Sequence, residues 1–392
     1  MTQRPRKIRL LHVIRPGTGG AARYLTMLLQ HLDRERFEPT VIASSVESAT
    51  FPDELRALGA AVHVVDMERS PDLETDLQAL RRVIVIIRQG NFDVIHTHAS
   101  KAGFLGRVAA RAAGRPASVY TPHGFYFQYN LPARVRGFYT RVERALGNLA
   151  DVILCTSRTE AESARAHRIA PLSRIVSVPN AVDVEALPAH VDRRALSESL
   201  GLPTAVRTVV MVGRLTPPKD PGTLLRAARH VLKAHPRTRF IFVGDGEMLA
   251  WCRDLARELD VADKVILTGY RPDAAQVAAM ATVSVLSSYA EGLPLALLES
   301  MALSRPVVAS DIPGCREVIE HGKTGILFPV GDERALSSAI VKLFDDKPAA
   351  EKMGANAHDY ILTHHDARKW IREIEKVYLC AVAKAARRKS SR

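Results

Sequence analysis

The sequence predicts two α/β domains of similar size, each a parallel sheet wrapped by helices. Short β-like runs alternate with helical patterns from end to end, which is how β-α-β units read. The chain has 392 residues, 47% of them hydrophobic; at roughly 150 residues per domain that is material for two or three cores. The alternation restarts after Asn180, past a charged stretch at 183–202 that lacks strand signals, and the junction is expected there.

In the first half a strand at 8–14 runs through a glycine-rich turn into a helix at 21–32. Strands follow at 40–43 and 62–65, then a helix at 77–88 and strands at 94–98, 118–121, 152–156 and 175–179. In the second half, strands at 208–212, 239–243, 265–268, 283–287 and 306–309 alternate with helices at 221–235, 248–259, 274–280 and 291–302. No short-period repeat is visible.

Composition narrows the function. The longest uncharged stretch, 274–290, is broken by Gln276, Thr282, Ser284, Ser287 and Ser288, and falls short of the ~20 apolar residues of a membrane span. The apolar run at 8–14 contains Arg9 and ends at Arg15-Pro16-Gly17, unlike a signal peptide. Cys155, Cys252, Cys315 and Cys380 lie far apart with no Cys-x-x-Cys pair, which fits a reducing cytoplasm. The formal charge of +13 calls for an anionic partner: nucleic acid, a bilayer surface or a phosphorylated substrate. Basic clusters open the chain (Arg4, Arg6, Lys7, Arg9) and close it (Lys384, Arg387, Arg388, Lys389, Arg392); such ends are ordinarily solvated and mobile.

Five motifs carry chemistry. Gly17-Thr-Gly19-Gly20-Ala21-Ala22 stands between the first strand and its helix, where glycine admits a phosphate to the helix N-terminus. No acidic residue closes the second strand, which counts against NAD; a purely structural turn is the alternative. Gly213-Arg214-Leu-Thr-Pro-Pro-Lys219-Asp220 follows a strand, and its guanidinium and ammonium suit a pyrophosphate. In Glu291-Gly-Leu-Pro294-Leu-Ala-Leu-Leu-Glu299, Pro294 suits a first helical turn, and eight helical residues would rise about 12 Å. Glu291 is then placed to accept from sugar hydroxyls, the helix start to hold diphosphate, and Glu299 to accept from ribose.

His96-Thr97-His98 and Thr121-Pro122-His123-Gly124 end two strands. No third ligand motif accompanies the histidines, so no metal is expected. His98 and His123 read as polar groups lining a cleft, and His96 as a core residue. Phe125-Tyr126-Phe127-Gln128-Tyr129 leads into a helix at 133–149 on which Val135, Phe138, Tyr139, Val142, Leu146 and Leu149 share a face away from Arg134, Arg136, Arg141 and Arg144. Packing on the domain core is the default for that face; resting on a bilayer is the alternative.

Taken together these motifs resemble the retaining GT-B glycosyltransferases of the glycogen-synthase-like family 4, over nearly the whole chain. The resemblance is carried by Gly213-Arg214 with Lys219, Glu291-x7-Glu299, Gly19-Gly20 with Arg23, and Val178-Pro-Asn-Ala-Val-Asp183. The run Asp93-Val-Ile-His-Thr-His98-Ala-Ser-Lys101-Ala-Gly103 and Thr121-Pro-His123-Gly124 further resemble members that build bacterial exopolysaccharide or capsule on a lipid carrier.

The resemblance implies two Rossmann-like domains facing across a cleft: an acceptor-binding domain at 1–187, a nucleotide-sugar domain at 188–365, and a helix at 366–392 crossing back to the first domain. It implies catalytic roles for Glu291, Arg214, Lys219 and His123, the last near the reacting sugar. Gly19, Gly20, Glu299, Gly292, Leu293, Leu295 and Asp245 would bind the donor, with Tyr270 and Arg271 bordering the base. His98, Lys101, Phe125 and Tyr126 would face the acceptor. No cofactor or metal is expected. The implied reaction moves a sugar, with retention, from a UDP-sugar to a lipid-linked saccharide at the inner face of the cell membrane. Its rivals are a sugar-nucleotide epimerase of the same architecture, an NAD-dependent oxidoreductase, and a basic nucleic-acid-binding protein; nucleic acid is not expected, because the basic residues do not interleave with a recognised module.

Overall fold

The computed structural model describes residues 6–114, 116–129, 131–203 and 206–390, with the side chains of 388–390 outside that description. Arg4 and Arg392 of the basic clusters therefore lie outside the described residues, as do the side chains of Arg388 and Lys389. The chain divides into two units, one of residues 1–180 with 367–392 and one of 181–366.

The first unit holds strands β1 (Ile8–Ile14), β2 (Phe37–Ala43), β3 (Ala61–Val64), β4 (Val94–His98), β5 (Ala117–Thr121), β6 (Val152–Cys155) and β7 (Ile175–Ser177). They pair in the order β3-β2-β1-β4-β5-β6-β7, all parallel. The second unit holds β8 (Arg207–Val212), β9 (Thr238–Val243), β10 (Val265–Leu267), β11 (Val283–Leu286), β12 (Val307–Ser310) and β13 (Ile326–Phe328), ordered β10-β9-β8-β11-β12-β13 and again parallel. Central strands such as Val152–Cys155 and Val307–Ser310 are buried along their whole length. Their near-continuous apolar runs follow from helices covering both sheet faces.

Each sheet reverses its winding once, between β1 and β4 and between β8 and β11. At such a switch point the crossover helices leave on opposite faces, opening a crevice beyond the carboxyl ends of the two strands. Loops 15–20 and 213–220, and the segments after His98 and Leu286, therefore stand where ligands of this architecture bind.

The last helix, Ala367–Ser390, belongs to the first unit. It buries Trp370, Ile374 and Tyr378 there, and Glu375 accepts the Asp33 backbone N–H at 3.0 Å. Lys384 and Arg387 are thus helical rather than a loose tail, and the Lys384 ammonium donates to the Ser173 carbonyl. At the other end Arg6 pairs with Asp93 at 2.7 Å.

Two expectations about helices need correction. The helix expected at 291–302 spans only Leu295–Ala302, with Pro294 as an extended cap (φ −73°, ψ 115°). A residue preceding proline is pushed out of the α region, so Leu293 cannot begin the helix. Only about 6 Å of helical rise, not 12 Å, separates Leu295 from Glu299. The helix Ala133–Gly147 turns Thr140, Glu143, Leu146 and Gly147 inward, while Val135 and Phe138 stay exposed. A buried cation sets that face: Arg107 is fully enclosed, stacks over Tyr120 at 3.7 Å and pairs with Glu143 at 3.1 Å. Unpaired, that guanidinium would carry a large desolvation cost.

Candidate active site

In the second unit, strand β8 ends at Val212 and hands over to the Gly213–Asp220 loop. Gly244 and Gly246 let the loop after β9 close on it: a Cβ at Gly244 would lie 2.1 Å from the Gly213 carbonyl oxygen, and one at Gly246 2.3 Å from that of Leu215. The Leu215 N–H donates to the Asp245 carbonyl and the Met248 N–H to the Leu215 carbonyl, both at 2.9 Å. Gly244 N–H donates to Gly269, so Tyr270 and Arg271 follow directly on the same knot of loops. Tyr270 is exposed, whereas Arg271 is clasped by both oxygens of Asp273 at 2.7 and 2.8 Å.

The loop after β11 is tied to this one. Tyr289 N–H donates to the Pro218 carbonyl at 2.8 Å, and the Ser287 hydroxyl to that of Asp220 at 2.7 Å. This seam brings the Lys219 ammonium to Glu291 Oε1 at 2.5 Å, although 72 residues separate them. Ser288 donates to the same oxygen at 2.6 Å. Glu291 Oε2 receives no hydrogen bond among the described residues, and an ammonium has three protons of which Glu291 takes one. Arg214, half-buried on the same loop, has no ion-pair partner among the described residues. Gly292 and Leu293 continue from Glu291, and Gly314 packs against them so closely that a Cβ would meet the Gly292 carbonyl oxygen at 2.3 Å. The Pro294 carbonyl accepts from Leu297 and Leu298, which leaves the Leu295 and Ala296 N–H groups as the open helix start. Glu299 lies one turn further on, half-buried.

In the first unit, Gly19 and Gly20 open the helix Gly19–His31 at the end of β1. Gly19 has φ 76°, whereas Gly20 is exposed with open space where a Cβ would stand, so packing does not require glycine there. Beside them lies a histidine cluster. The register sets His12 of β1 opposite His96 of β4. His12 Nδ1 contacts His98 Nε2 at 3.1 Å, and His98 Nδ1 contacts His123 Nε2 at 3.1 Å. His96 is held by the Tyr378 hydroxyl at 2.7 Å and that of Thr121 at 2.8 Å. Burial pushes the His12 and His123 imidazoles down to about 3, and His96 and His98 well below their ordinary value.

Three acceptor-side expectations fail. His98 is fully enclosed, its nitrogens taken by other histidines. Phe125 is 1% accessible and stacks on Phe127 in the core. Lys101 is committed to Asp76 and the Ser70 carbonyl. Of the first unit's predicted residues, Tyr126 (41% accessible), Gly19, Gly20 and the half-buried His123 reach the surface.

The family description "Glycosyltransferase Family 4" matches residues 18–186, and "Glycosyl transferases group 1" matches 192–360. The D-inositol 3-phosphate glycosyltransferase of Acidothermus cellulolyticus is 30% identical, over 87% of this chain and 81% of its own. The chain belongs to glycosyltransferase family 4. An Escherichia coli relative, UDP-Gal:alpha-D-GlcNAc-diphosphoundecaprenol alpha-1,3-galactosyltransferase, is 29% identical over 95% of this chain and 97% of its own. Anabaena HepE, solved with UDP and glucose, superposes with a TM-score of 0.82 at 21% identity, covering 94% of this chain and 99% of that one. The fold is accordingly GT-B, with two Rossmann-like domains.

Several residues that support this glycosyltransferase's sites give no signal in sequence. The buried Glu160 carboxylate accepts from Gly124 N–H at 2.6 Å and from the Thr156 N–H and hydroxyl at 2.6 and 3.0 Å, bracing the turn that carries His123. His123 holds φ 56°, a conformation costly outside glycine. Tyr24 packs edge-on to His123 at 4.7 Å and to Trp370 at 4.9 Å. Only the i+3 capping pattern Ser157–Glu160 could have marked Glu160 beforehand.

Proposed function

We propose that this glycosyltransferase moves a sugar, with retention and without a metal, from a UDP-sugar to a hydroxyl of a lipid-linked saccharide in cell-surface polysaccharide synthesis. One observation carries the reading: the Lys219–Glu291 contact, which joins the β8 loop to the entry of helix Leu295–Ala302 at the sheet's switch point. A cation and a carboxylate so joined meet a diphosphate and the sugar attached to it. The E. coli relative's UDP-Gal donor and diphosphoundecaprenol acceptor support the choice of substrates.

As the anomeric carbon parts from the phosphate oxygen, negative charge grows on that oxygen. Lys219, Arg214 and the Leu295 and Ala296 amides stabilise it more in the transition state than in the bound donor. They supply the charge that a divalent cation supplies elsewhere. Glu291 Oε2 accepts from sugar hydroxyls and Glu299 from ribose, while Asp245, Tyr270 and Arg271 border the base. The acceptor hydroxyl enters on the face the phosphate leaves and gives its proton to the departing UDP, so no covalent nucleophile is assigned.

The first domain takes the acceptor, with Gly19, Gly20 and His123 at the ligand crevice of its own sheet. No helix among the described residues is long and apolar enough to cross a membrane. Exposed Tyr126, Val135 and Phe138, with Arg134, Arg136 and Arg141 beside them, form the surface we assign to an anionic bilayer. The test is transfer from labelled UDP-sugars to an undecaprenyl-diphosphate-linked acceptor in EDTA, with the product's anomeric configuration read by NMR. An α product that forms without metal is expected. An inverted product, or epimerised donor without transfer, refutes the reading.

A further inference from the structure

Three histidines of the first domain form a directional chain. An N···N hydrogen bond needs one protonated and one bare nitrogen, and a neutral imidazole carries one proton. The contacts His12 Nδ1–His98 Nε2 and His98 Nδ1–His123 Nε2 therefore admit two arrangements only. In one, every ring is protonated on Nε2; in the other, every ring is protonated on Nδ1.

The far end of the chain decides between them. His12 Nε2 is buried and has no partner among the described residues. Protonated, it would be a buried donor with nothing to receive it; bare, it is an unused lone pair. Orphaned buried N–H groups are the rarer of the two. The Nδ1–H arrangement follows for His12, His98 and His123 alike.

We propose that His12 and His98 are positioning residues that hold His123 as the neutral Nδ1–H tautomer, so that it meets its ligand as a hydrogen-bond donor and not as a base. His123 is the chain's one member with accessible surface. Its Nε2 lone pair is filled by His98, so a hydroxyl or phosphate oxygen meets a fixed, uncharged donor. That the ligand is a sugar nucleotide or acceptor rests on the function proposed above; the tautomer does not.

One nitrogen from each of His12, His96 and His98 also lies within 4.8 Å of the others, a spacing that could hold a metal ion. Both nitrogens of His96 and of His98 already have partners, so coordination would have to break the chain.

The test is long-range 1H–15N correlation on the full-length protein labelled at histidine, with signals assigned by His123→Gln and His98→Asn. The expected result is Nδ1–H for all three rings and no titration of His123 between about pH 6 and 8. An Nε2–H or doubly protonated His123, or a stoichiometric divalent ion retained on purification, overturns the proposal. His12→Phe should mix the His123 tautomers and lower kcat about tenfold with KM within about twofold. His12→Asn, whose amide can donate in place of Nδ1–H, should restore both. If His12→Phe does not fold, the wild-type spectrum still decides. A locked tautomer without sugar transfer would sink the function alone, and transfer with a free tautomer would sink the chain alone.

Discussion

Acid should unfold the first domain before any chemistry fails. His12, His96, His98 and His123 are held neutral, with burial keeping each well below its ordinary value. A buried imidazole with a lowered native pKa takes up its proton only on unfolding. Its contribution to stability is therefore whole above pH ~6.5 and is lost progressively as pH falls below that. Between about pH 7.5 and about pH 5.5 each such histidine shifts the balance by about 1.4 kcal/mol, and four by about 5 kcal/mol, against a domain stability of roughly 5–15 kcal/mol. The assay uses the two tryptophans: Trp370 is buried in the first domain, and Trp251 is exposed in the second. In a Trp251→Phe variant, urea melts followed by Trp370 emission should show unfolding free energy falling by about 5 kcal/mol across that range, its slope approaching four protons only near pH 5.5. A slope below about one proton there would show that the rings are not held neutral.

Other outcomes can be checked directly. Lys219→Ala and Glu291→Gln should each lower kcat by about 10²–10³-fold with melting unchanged, because both act on charge that develops in the reaction. Near-normal turnover in stopped assays would defeat the donor-site assignment. Tyr378→Phe leaves His96 Nδ1 without its 2.7 Å partner and should cost the first domain about 1–3 kcal/mol in urea unfolding. Val135→Ser with Phe138→Ser should reduce co-sedimentation with anionic vesicles while leaving transfer to a short, soluble acceptor intact; unchanged vesicle binding would move the contact elsewhere.

Much of the alternation was legible because parallel strands buried on both faces announce themselves as apolar runs. Val94–His98 matches its expected span residue for residue, and most other strands match to within a residue or two. Helix ends were less legible where proline chemistry decides them, as at Pro294. The helix Arg193–Ser199 hides in a stretch whose charge reads as a linker. In the second domain, the meeting of Lys219 with Glu291 was legible because loop position and charge are local properties. On the acceptor side, His98 and Phe125 were misplaced because exposure depends on tertiary neighbours: Tyr24 packs on His98, Tyr378 on His12 and His96, and Phe127 on Phe125. Sequence spacing cannot report that Arg107 needs Glu143, and that pair decides which face of helix Ala133–Gly147 turns outward.

The return of helix Ala367–Ser390 gives the order of synthesis a physical cost. Seven strands leave the ribosome early, yet Tyr378, which packs on His12 and His96, and Trp370, which packs on Tyr24, are made last, after an intervening domain of contiguous sequence has emerged. At about 5–20 residues per second the apolar seat of Trp370 and Tyr378 waits some 10–40 s uncovered. The nascent first half is thus an open substrate for chaperones, and the inserted half can finish folding ahead of the half that precedes it.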